Sequence, residues 1–337
     1  VKTIKKHLTA AIISAQLLLH FIWARRREKR YALAVITAIE LQFGIPISPK
    51  VKAKTITSYA IYTPIVCDAF MQLHGRNTNR MEKKRLVYYF VMASMYDDFF
   101  DYHTLTISEI AALTFSGDDY IPQSDDQYLI RAIHRYLLSE VKLKEDYLGL
   151  FEAMFTAQKD SLQQFNAAIT AEELLSITHR KGGFAVLMCY FYMDEVGNNT
   201  EKNCWYLLGS IIQMINDLFD TYKDSRAGIY TFANHFTNVS AIKQAYTQQV
   251  QLLQHEINAI HAPAKQKRLF NYTMSAVYCL GFLAIEQLQA IENRYGSLPN
   301  FMTLSRKDLI IDMERYANRK RWIQLFFTYG NNLTEVK

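Results

Sequence analysis

Apolar residues return every three to four positions through nearly every stretch of the chain, and no alternating apolar and polar run is long enough to require a strand. This pattern predicts an all-α fold. Helices are expected over 7–29, 30–43, 53–74, 80–102, 106–115, 125–140, 144–166, 171–196, 200–226, 238–260, 264–294 and 305–328. The stops between them carry chain breakers: Gly44 with Pro46 and Pro49, Gly75, the loop from Ser116 to Ser124, Gly197 with Asn198 and Asn199, Pro263, and Gly296 with Pro299. No linker, internal repeat or low-complexity tract interrupts the pattern, so residues 1–337 read as a single domain.

Composition strengthens the helical reading. The 337 residues include 12 glycines and 6 prolines, where average usage would give roughly 24 and 17. Half the chain is apolar, and 22 tyrosines and 20 phenylalanines supply ring surface for a core, which excludes an extensively disordered protein. A balance of 38 basic to 32 acidic residues is too even for a nucleic-acid partner, while it tolerates an anionic small substrate or a membrane surface. Cys67, Cys189, Cys204 and Cys279 form no C-x-x-C pair and sit among apolar neighbours, as reduced core cysteines of a cytoplasmic protein would.

Leu8 to Ala24 is an apolar run of 17 residues between Lys5-Lys6 and Arg25-Arg26-Arg27. It is shorter than the ~20 residues a span needs, contains Ser14, Gln16 and His20, and lacks a small-residue cleavage pattern before the arginines. The expectation is an amphipathic or core helix. A peripheral helix touching membrane lipid within residues 1–30 stays open as the second reading.

Two acidic clusters carry the chemistry. Val87 to Asp101, VYYFVMASMYDDFFD, is an apolar helix ending in Asp97, Asp98 and Asp101; Asp97 and Asp101 are four apart and share a face. Carboxylates at the end of such a helix must be paired, protonated or bound to cations. Gly209 to Asp224, GSIIQMINDLFDTYKD, sets Asn216, Asp220 and Asp224 at intervals of four, about 12 Å along one face of a continuous helix. That face offers oxygen ligands for a hard cation such as Mg²⁺, with Lys223 adjoining it. The alternative for either cluster alone is a solvated helix face. Lying about 115 residues apart, the two would, if opposed, clamp several Mg²⁺ ions around a diphosphate. Asp118-Asp119 beside Gly117, and Asp125-Asp126 after Ser124, read instead as loop and helix-cap acids, with Gln127 completing a capping box.

Asp97-Asp98-Phe99-Phe100-Asp101 resembles the DDxxD motif of class I isoprenoid enzymes, the superfamily of terpene synthases, trans-prenyl diphosphate synthases and squalene/phytoene synthases. Residues 216 to 224, NDxxDxxKD, are similar to that superfamily's second metal motif, NDxx(S/T)xxxE in terpene synthases, with Asp220 for serine and Asp224 for glutamate as departures. Read from Gly209 through Gln213 to Asp220, the same stretch resembles the second aspartate motif of prenyl diphosphate synthases. The resemblance implies a helical bundle around a central apolar cavity and three Mg²⁺ ions. Asp97, Asp98, Asp101, Asn216, Asp220 and Asp224 take the metal positions, and Lys223 takes a diphosphate-binding one.

Thr178 to Phe184, THRKGGF, places two glycines in an apolar helix, 36 residues before Asn216 counting from Arg180. Each glycine weakens a helix by about 1 kcal/mol against alanine, so a kink or a close backbone approach is expected. The resemblance puts a helix break beside the active site here, with Arg180 or Lys181 as the diphosphate-sensing cation. Near the end of the chain, Arg315-Tyr316 looks like the C-terminal RY of bacterial terpene synthases, whose members contact diphosphate; surface charge is the alternative. Tyr96, Phe99, Phe100 and Phe184 are expected in the cavity, where ring faces stabilise carbocations.

Elongating prenyltransferases usually carry a Gly-Lys-Arg-type element near the N-terminus and an Arg-Arg-Gly run after the first motif. Here Asp101 is followed by YHTLTISEI. Without a second cationic site a second diphosphate would be left uncompensated. The expectation is therefore a terpene synthase, a lyase that ionises a linear prenyl diphosphate and cyclises the cation. A prenyltransferase, elongating or squalene synthase-like, is the alternative, followed by a non-catalytic prenyl-lipid-binding or partner subunit. No nucleic-acid partner is expected; weak membrane association and a homodimer stay open.

Overall fold

A computed structural model of the chain describes residues 2–102, 104–195 and 197–332; the side chains of 2–20, 101, 118 and 330–332 lie outside the description. The described residues are helical and contain no β-strand, as the periodicity predicts. In chain order the helices are α1 (Lys2–Phe43), α2 (Pro49–Tyr62), α3 (Asp68–Leu73), α4 (Arg80–Asp101), α5 (Ile107–Phe115), α6 (Asp125–Glu140), α7 (Lys144–Asp160), α8 (Ala171–Tyr190), α9 (Asn199–Phe219), α10 (Thr221–Arg226), α11 (Phe232–His235), α12 (Val239–Ala259), α13 (Ala264–Tyr295), α14 (Arg306–Leu309) and α15 (Tyr316–Asn332).

Several boundaries differ from expectation for local reasons. The helices expected at 7–29 and 30–43 are one helix, because no breaker stands between them before Gly44, which takes φ +67. The segment expected at 53–74 starts earlier, where Ser48 caps α2 by accepting from the Val51 amide at 3.2 Å and Pro49 fills the first turn. It is then interrupted by a π-helical turn, Thr63–Cys67, around Pro64, which lacks an N–H and crowds the preceding turn. The helix expected at 305–328 breaks after α14, because Asp312 accepts from the Glu314 amide at 2.9 Å in a local turn that competes with helix.

The chain packs as two compact units. In the unit of residues 15–149 and 188–196, α2 and α6 both pack on α4 around Tyr59, Phe70, Leu86, Val91, Ile130 and Tyr192. Fully buried Glu82 accepts from two Arg76 nitrogens, both at 2.8 Å, and from the amides of Asn79 and Asp194, both at 2.7 Å, tying the start of α4 to the 193–195 turn.

In the unit of residues 1–14, 150–187 and 197–337, α9, α12, α13 and α15 pack around Trp205, Ile211, Ile242, Tyr246 and Tyr278. Helix α13 is the one described helix long and apolar enough to cross a membrane, but 67% of its apolar window is buried inside the fold, as suits a core helix. The four cysteines are free and buried, as expected.

Candidate active site

The first acidic cluster ends α4. That helix starts with a reciprocal cap between Asn79 and Glu82 and then runs apolar and buried from Leu86 to Met92. Its last turn reaches solvent: the side chain of Asp97 is 44% exposed and that of Asp98 24%. Asp101 closes the helix, and its side chain lies outside the described residues. Two lysines meet the aspartates. Lys54 Nζ lies 2.8 Å from Asp97 Oδ2, Lys50 Nζ lies 2.9 Å from Asp98 Oδ1, and the Lys50 ammonium also sits 3.7 Å from the Tyr102 ring centre. Helix α2 is held in this register by Thr55, whose hydroxyl donates to the Phe90 carbonyl at 3.2 Å. Asp126 belongs to the same neighbourhood, since burial and then the charges of Asp125 and Asp98 raise its carboxyl.

Neither lysine was legible as a partner of the aspartates, because the pairing joins positions 48 and 43 residues apart. The signal in retrospect is their i, i+4 spacing on α2, which matches two adjacent acids on a packed neighbour.

The second cluster is rearranged relative to expectation. Helix α9 ends at Phe219, and Asp220 is a one-residue break before α10, where the Thr221 hydroxyl donates back to the carbonyls of Leu218 at 2.9 Å and Asp217 at 3.1 Å. The expected face is not uniform: Asn216 and Asp220 are exposed, whereas Asp224 is buried. The acid that joins them is Asp217, which the sequence reading passed over. It is buried, accepts from Thr178 Oγ1 at 3.0 Å and from Gln213 Nε2 at 2.9 Å, and its carboxyl is pushed up to about 6 by burial. Asp224 is pushed up to about 7, by burial first and then by the charges of Asp217 and Asp220.

Lys181 is the cation on α8 whose charge acts on both Asp217 and Asp224. Lys223 also acts on Asp224 and lies 3.9 Å from Asp220. Arg180 points elsewhere, to Asp160 Oδ2 at 2.8 Å. Of the two cations left open at positions 180 and 181, Lys181 is the one beside these acids.

The two glycines that follow do not break the helix, and α8 is continuous through them. They permit close approach. A Cβ on Gly182 would overlap the Gly209 carbonyl oxygen and Gln213 Cβ, and one on Gly183 would overlap the Tyr206 ring. That contact between α8 and α9 brings Thr178 to Asp217.

The aromatic residues distribute between the units. Phe99 and Phe100 are buried in α4, and Tyr96 stacks edge-on to Phe99 at 6.3 Å while its hydroxyl pairs with that of Thr114 at 3.0 Å. Phe184 packs on Tyr206 at 5.3 Å. Tyr62 and Tyr89, not anticipated, lie close enough to Asp97 that its charge adds to the burial that raises their phenols. Arg315, just before α15, and Tyr316, its first residue, are exposed, and Arg315 pairs with Asp312 at 3.6 Å.

Among the described residues, no three His, Cys, Asp or Glu side chains converge as a metal-binding group. What fits a hard cation is the donor chemistry. Asp217, Asp220 and Asp224 are all oxygen donors; burial first, and then neighbouring acidic charge, raises the carboxyls of Asp217 and Asp224, and a cation placed there would relieve that cost. Asp97 and Asp98 already each meet a cation.

No family profile and no curated protein matches the chain. Among solved structures, the crystal structure of a geranyltransferase from Legionella pneumophila is similar at 15% sequence identity, covering 82% of this chain and 99% of that one, with a TM-score of 0.42. At that level two chains need not share an activity.

Proposed function

We propose that the chain is a Mg²⁺-dependent class I isoprenoid enzyme that ionises a linear prenyl diphosphate and cyclises the resulting carbocation, with release of diphosphate. What supports this reading is that buried Asp217 and Asp224 feel the charge of Asp220 and of Lys181, while Lys223 acts on Asp224 and lies 3.9 Å from Asp220. Surplus carboxylates with adjacent lysines make a receptor for cations and a polyanion together.

In this reading Asp97, Asp98 and Asp101 would hold Mg²⁺ in one unit, and Asn216, Asp220 and Asp224 in the other. Bound Mg²⁺ supplies positive charge to the diphosphate oxygens, which makes diphosphate a better leaving group. Lys181 and Lys223 bind the same oxygens. Asp217 is a positioning residue: its bond to Thr178 ties α9 to α8, so that Lys181 stays at the acids, and its bond to Gln213, on α9 itself, orients the carboxylate. Phe99 and Phe100 in one unit, and Phe184 in the other, are the ring faces that would stabilise a carbocation and keep water from it. Arg180, Arg315 and Tyr316 enter only if the site closes on substrate.

Prenyl transfer is the second reading, and Lys50 and Lys54 favour it. They form the additional cationic pair that the sequence reading found missing, and their charge becomes available to a second diphosphate when Mg²⁺ takes Asp97 and Asp98.

The test is purified protein with Mg²⁺ and farnesyl, geranylgeranyl or longer prenyl diphosphates, with and without isopentenyl diphosphate, followed by mass spectrometry of the extract. Cyclic hydrocarbon or alcohol from one allylic substrate supports the cyclase. Longer diphosphates formed only with isopentenyl diphosphate replace it with the transferase. Mg²⁺-dependent diphosphate release that never occurs, or that survives both Asp98→Asn and Asn216→Ala, refutes both readings.

A further inference from the structure

Helix α1 carries an exposed face that the proposed reaction does not use. From residue 21 to residue 39 its inward positions are Ala24, Glu28, Ala32, Ile36 and Ile39, all buried. Its outward stripe, at helical spacing, is Trp23, Arg26, Arg27, Arg30, Leu33 and Leu41. Trp23 is 68% exposed, with the Arg26 guanidinium 5.9 Å from its ring centre, and Leu41 is 86% exposed. Between residues 25 and 30 stand five basic residues and one acid, Glu28, which is 1% exposed and turned inward to Lys83 Nζ at 2.7 Å and the Tyr59 hydroxyl at 2.9 Å, with Arg27 Nε reaching it at 3.0 Å. The outward charge in this stretch is therefore all positive. The start of α4 extends it: the Tyr31 hydroxyl donates to the Arg80 carbonyl at 2.8 Å, and next to Arg80 is Met81, itself 47% exposed.

We propose that this face, running about 27 Å along α1 from Trp23 to Leu41, is a docking surface for an anionic lipid bilayer. A large aromatic ring, exposed leucines and a cluster of arginines on one side of a helix are the anatomy of a helix lying in a membrane interface, where rings settle at headgroup depth and cations meet anionic headgroups. A second copy of the chain would oppose like charge to like charge across the same face.

The experiment is co-sedimentation of the full chain with vesicles of phosphatidylcholine alone and of equimolar phosphatidylcholine and phosphatidylglycerol, read together with tryptophan emission. The chain has three tryptophans. Trp205 is fully buried, and the Trp322 indole donates to the Ala276 carbonyl at 3.0 Å, so Trp23 is the solvent-facing reporter. The expected result is binding to the anionic vesicles, weakened by salt, with a blue shift that Trp23→Phe abolishes. The triple variant Arg26→Glu, Lys29→Glu, Arg30→Glu should lower partitioning on the order of a hundredfold. Near-ultraviolet circular dichroism checks that each variant is folded, and Arg26→Gln with Arg30→Gln is the milder substitute if charge reversal unfolds the chain. Equal binding to both vesicle types, binding unaffected by the charge changes, or no binding overturns the proposal. So does a dimer in sedimentation equilibrium that the same substitutions dissociate in the absence of lipid binding, which would assign the face to a second copy.

Discussion

Replacing Gly182 by alanine tests the contact that assembles the second acidic cluster. In an open helix this substitution stabilises by about 1 kcal/mol, because alanine loses less backbone entropy than glycine. Gly149, in α7, is such a case, with no atom within 4 Å of the Cβ it would gain. At Gly182 the same methyl would overlap the carbonyl oxygen of Gly209 and Gln213 Cβ. The first of these is backbone of a packed helix, so no side-chain rotation relieves it, and α8 and α9 must separate. Overpacking of this kind costs about 1–3 kcal/mol, which cancels the propensity gain at its lower end and leaves a net loss of up to about 2 kcal/mol at its upper end. Gly149→Ala should therefore raise the urea midpoint and Gly182→Ala leave it unchanged or lower it, at unchanged dependence on denaturant. Gly182→Ala should also weaken Mg²⁺-dependent turnover beyond its effect on stability, since separation draws Thr178 and Lys181 away from Asp217. Equal and stabilising shifts from both variants would refute the close approach.

The raised carboxyls make stability depend on pH. Asp217 at about 6 and Asp224 at about 7 lie above an ordinary aspartate at 3.8, so the folded state keeps protons that the unfolded chain has lost. Their contribution is whole below about pH 4 and drains away as pH rises through about 6 to 7. The urea midpoint of the metal-free protein should fall over that interval, Asp217→Asn should flatten the fall, and Mg²⁺ should reverse it at the alkaline end. Lys50→Met and Lys54→Met remove the cations that now occupy Asp98 and Asp97. Calorimetric Mg²⁺ binding without substrate should tighten by a factor of a few, the scale of an exposed ion pair, and with isopentenyl diphosphate present any transferase activity should fall. Glu82→Ala leaves Arg76 with Glu195 at 3.1 Å and the Asn77 carbonyl at 3.2 Å and strips the Asn79 and Asp194 amides of their acceptor. It should cost about 3 kcal/mol by chemical denaturation, the lower end for a broken buried pair, because Arg76 keeps those partners.

What was legible in the sequence is what depends on neighbours along the chain. Asn79 with Glu82 and Ser124 before Asp125 announce the starts of α4 and α6, and the apolar period carries both helices to within a residue of their ends. The boundaries that failed are set by competition. Pro64 forces a π turn where periodicity alone runs on, and the Asp312 side chain captures an amide that a helix would have used. The pair of glycines was rightly read as a place of special backbone, but a kink and a close approach leave the same trace in one strand of sequence; only the partner helix, with its own Gly209, decides between them.

The same limit explains the second cluster. Intervals of four selected Asn216, Asp220 and Asp224 as one face, and that spacing necessarily omits Asp217, which lies about 100° round the helix. Yet Asp217 is the acid that α8 encloses, through Thr178, and its buried charge, after burial itself, does most to lift Asp224. Spacing reports which side chains share an outward direction; it is silent about which direction becomes the interior when a second helix arrives. The electrostatic character of the cluster comes from that arrival. Closing α8 on α9 encloses Asp217 while adding Lys181 as a counter-charge to Asp217 and Asp224. Lys181 and Lys223 are set against Asp217, Asp220 and Asp224, so the acids outnumber the lysines, and in the proposed reading a bound cation makes up the difference.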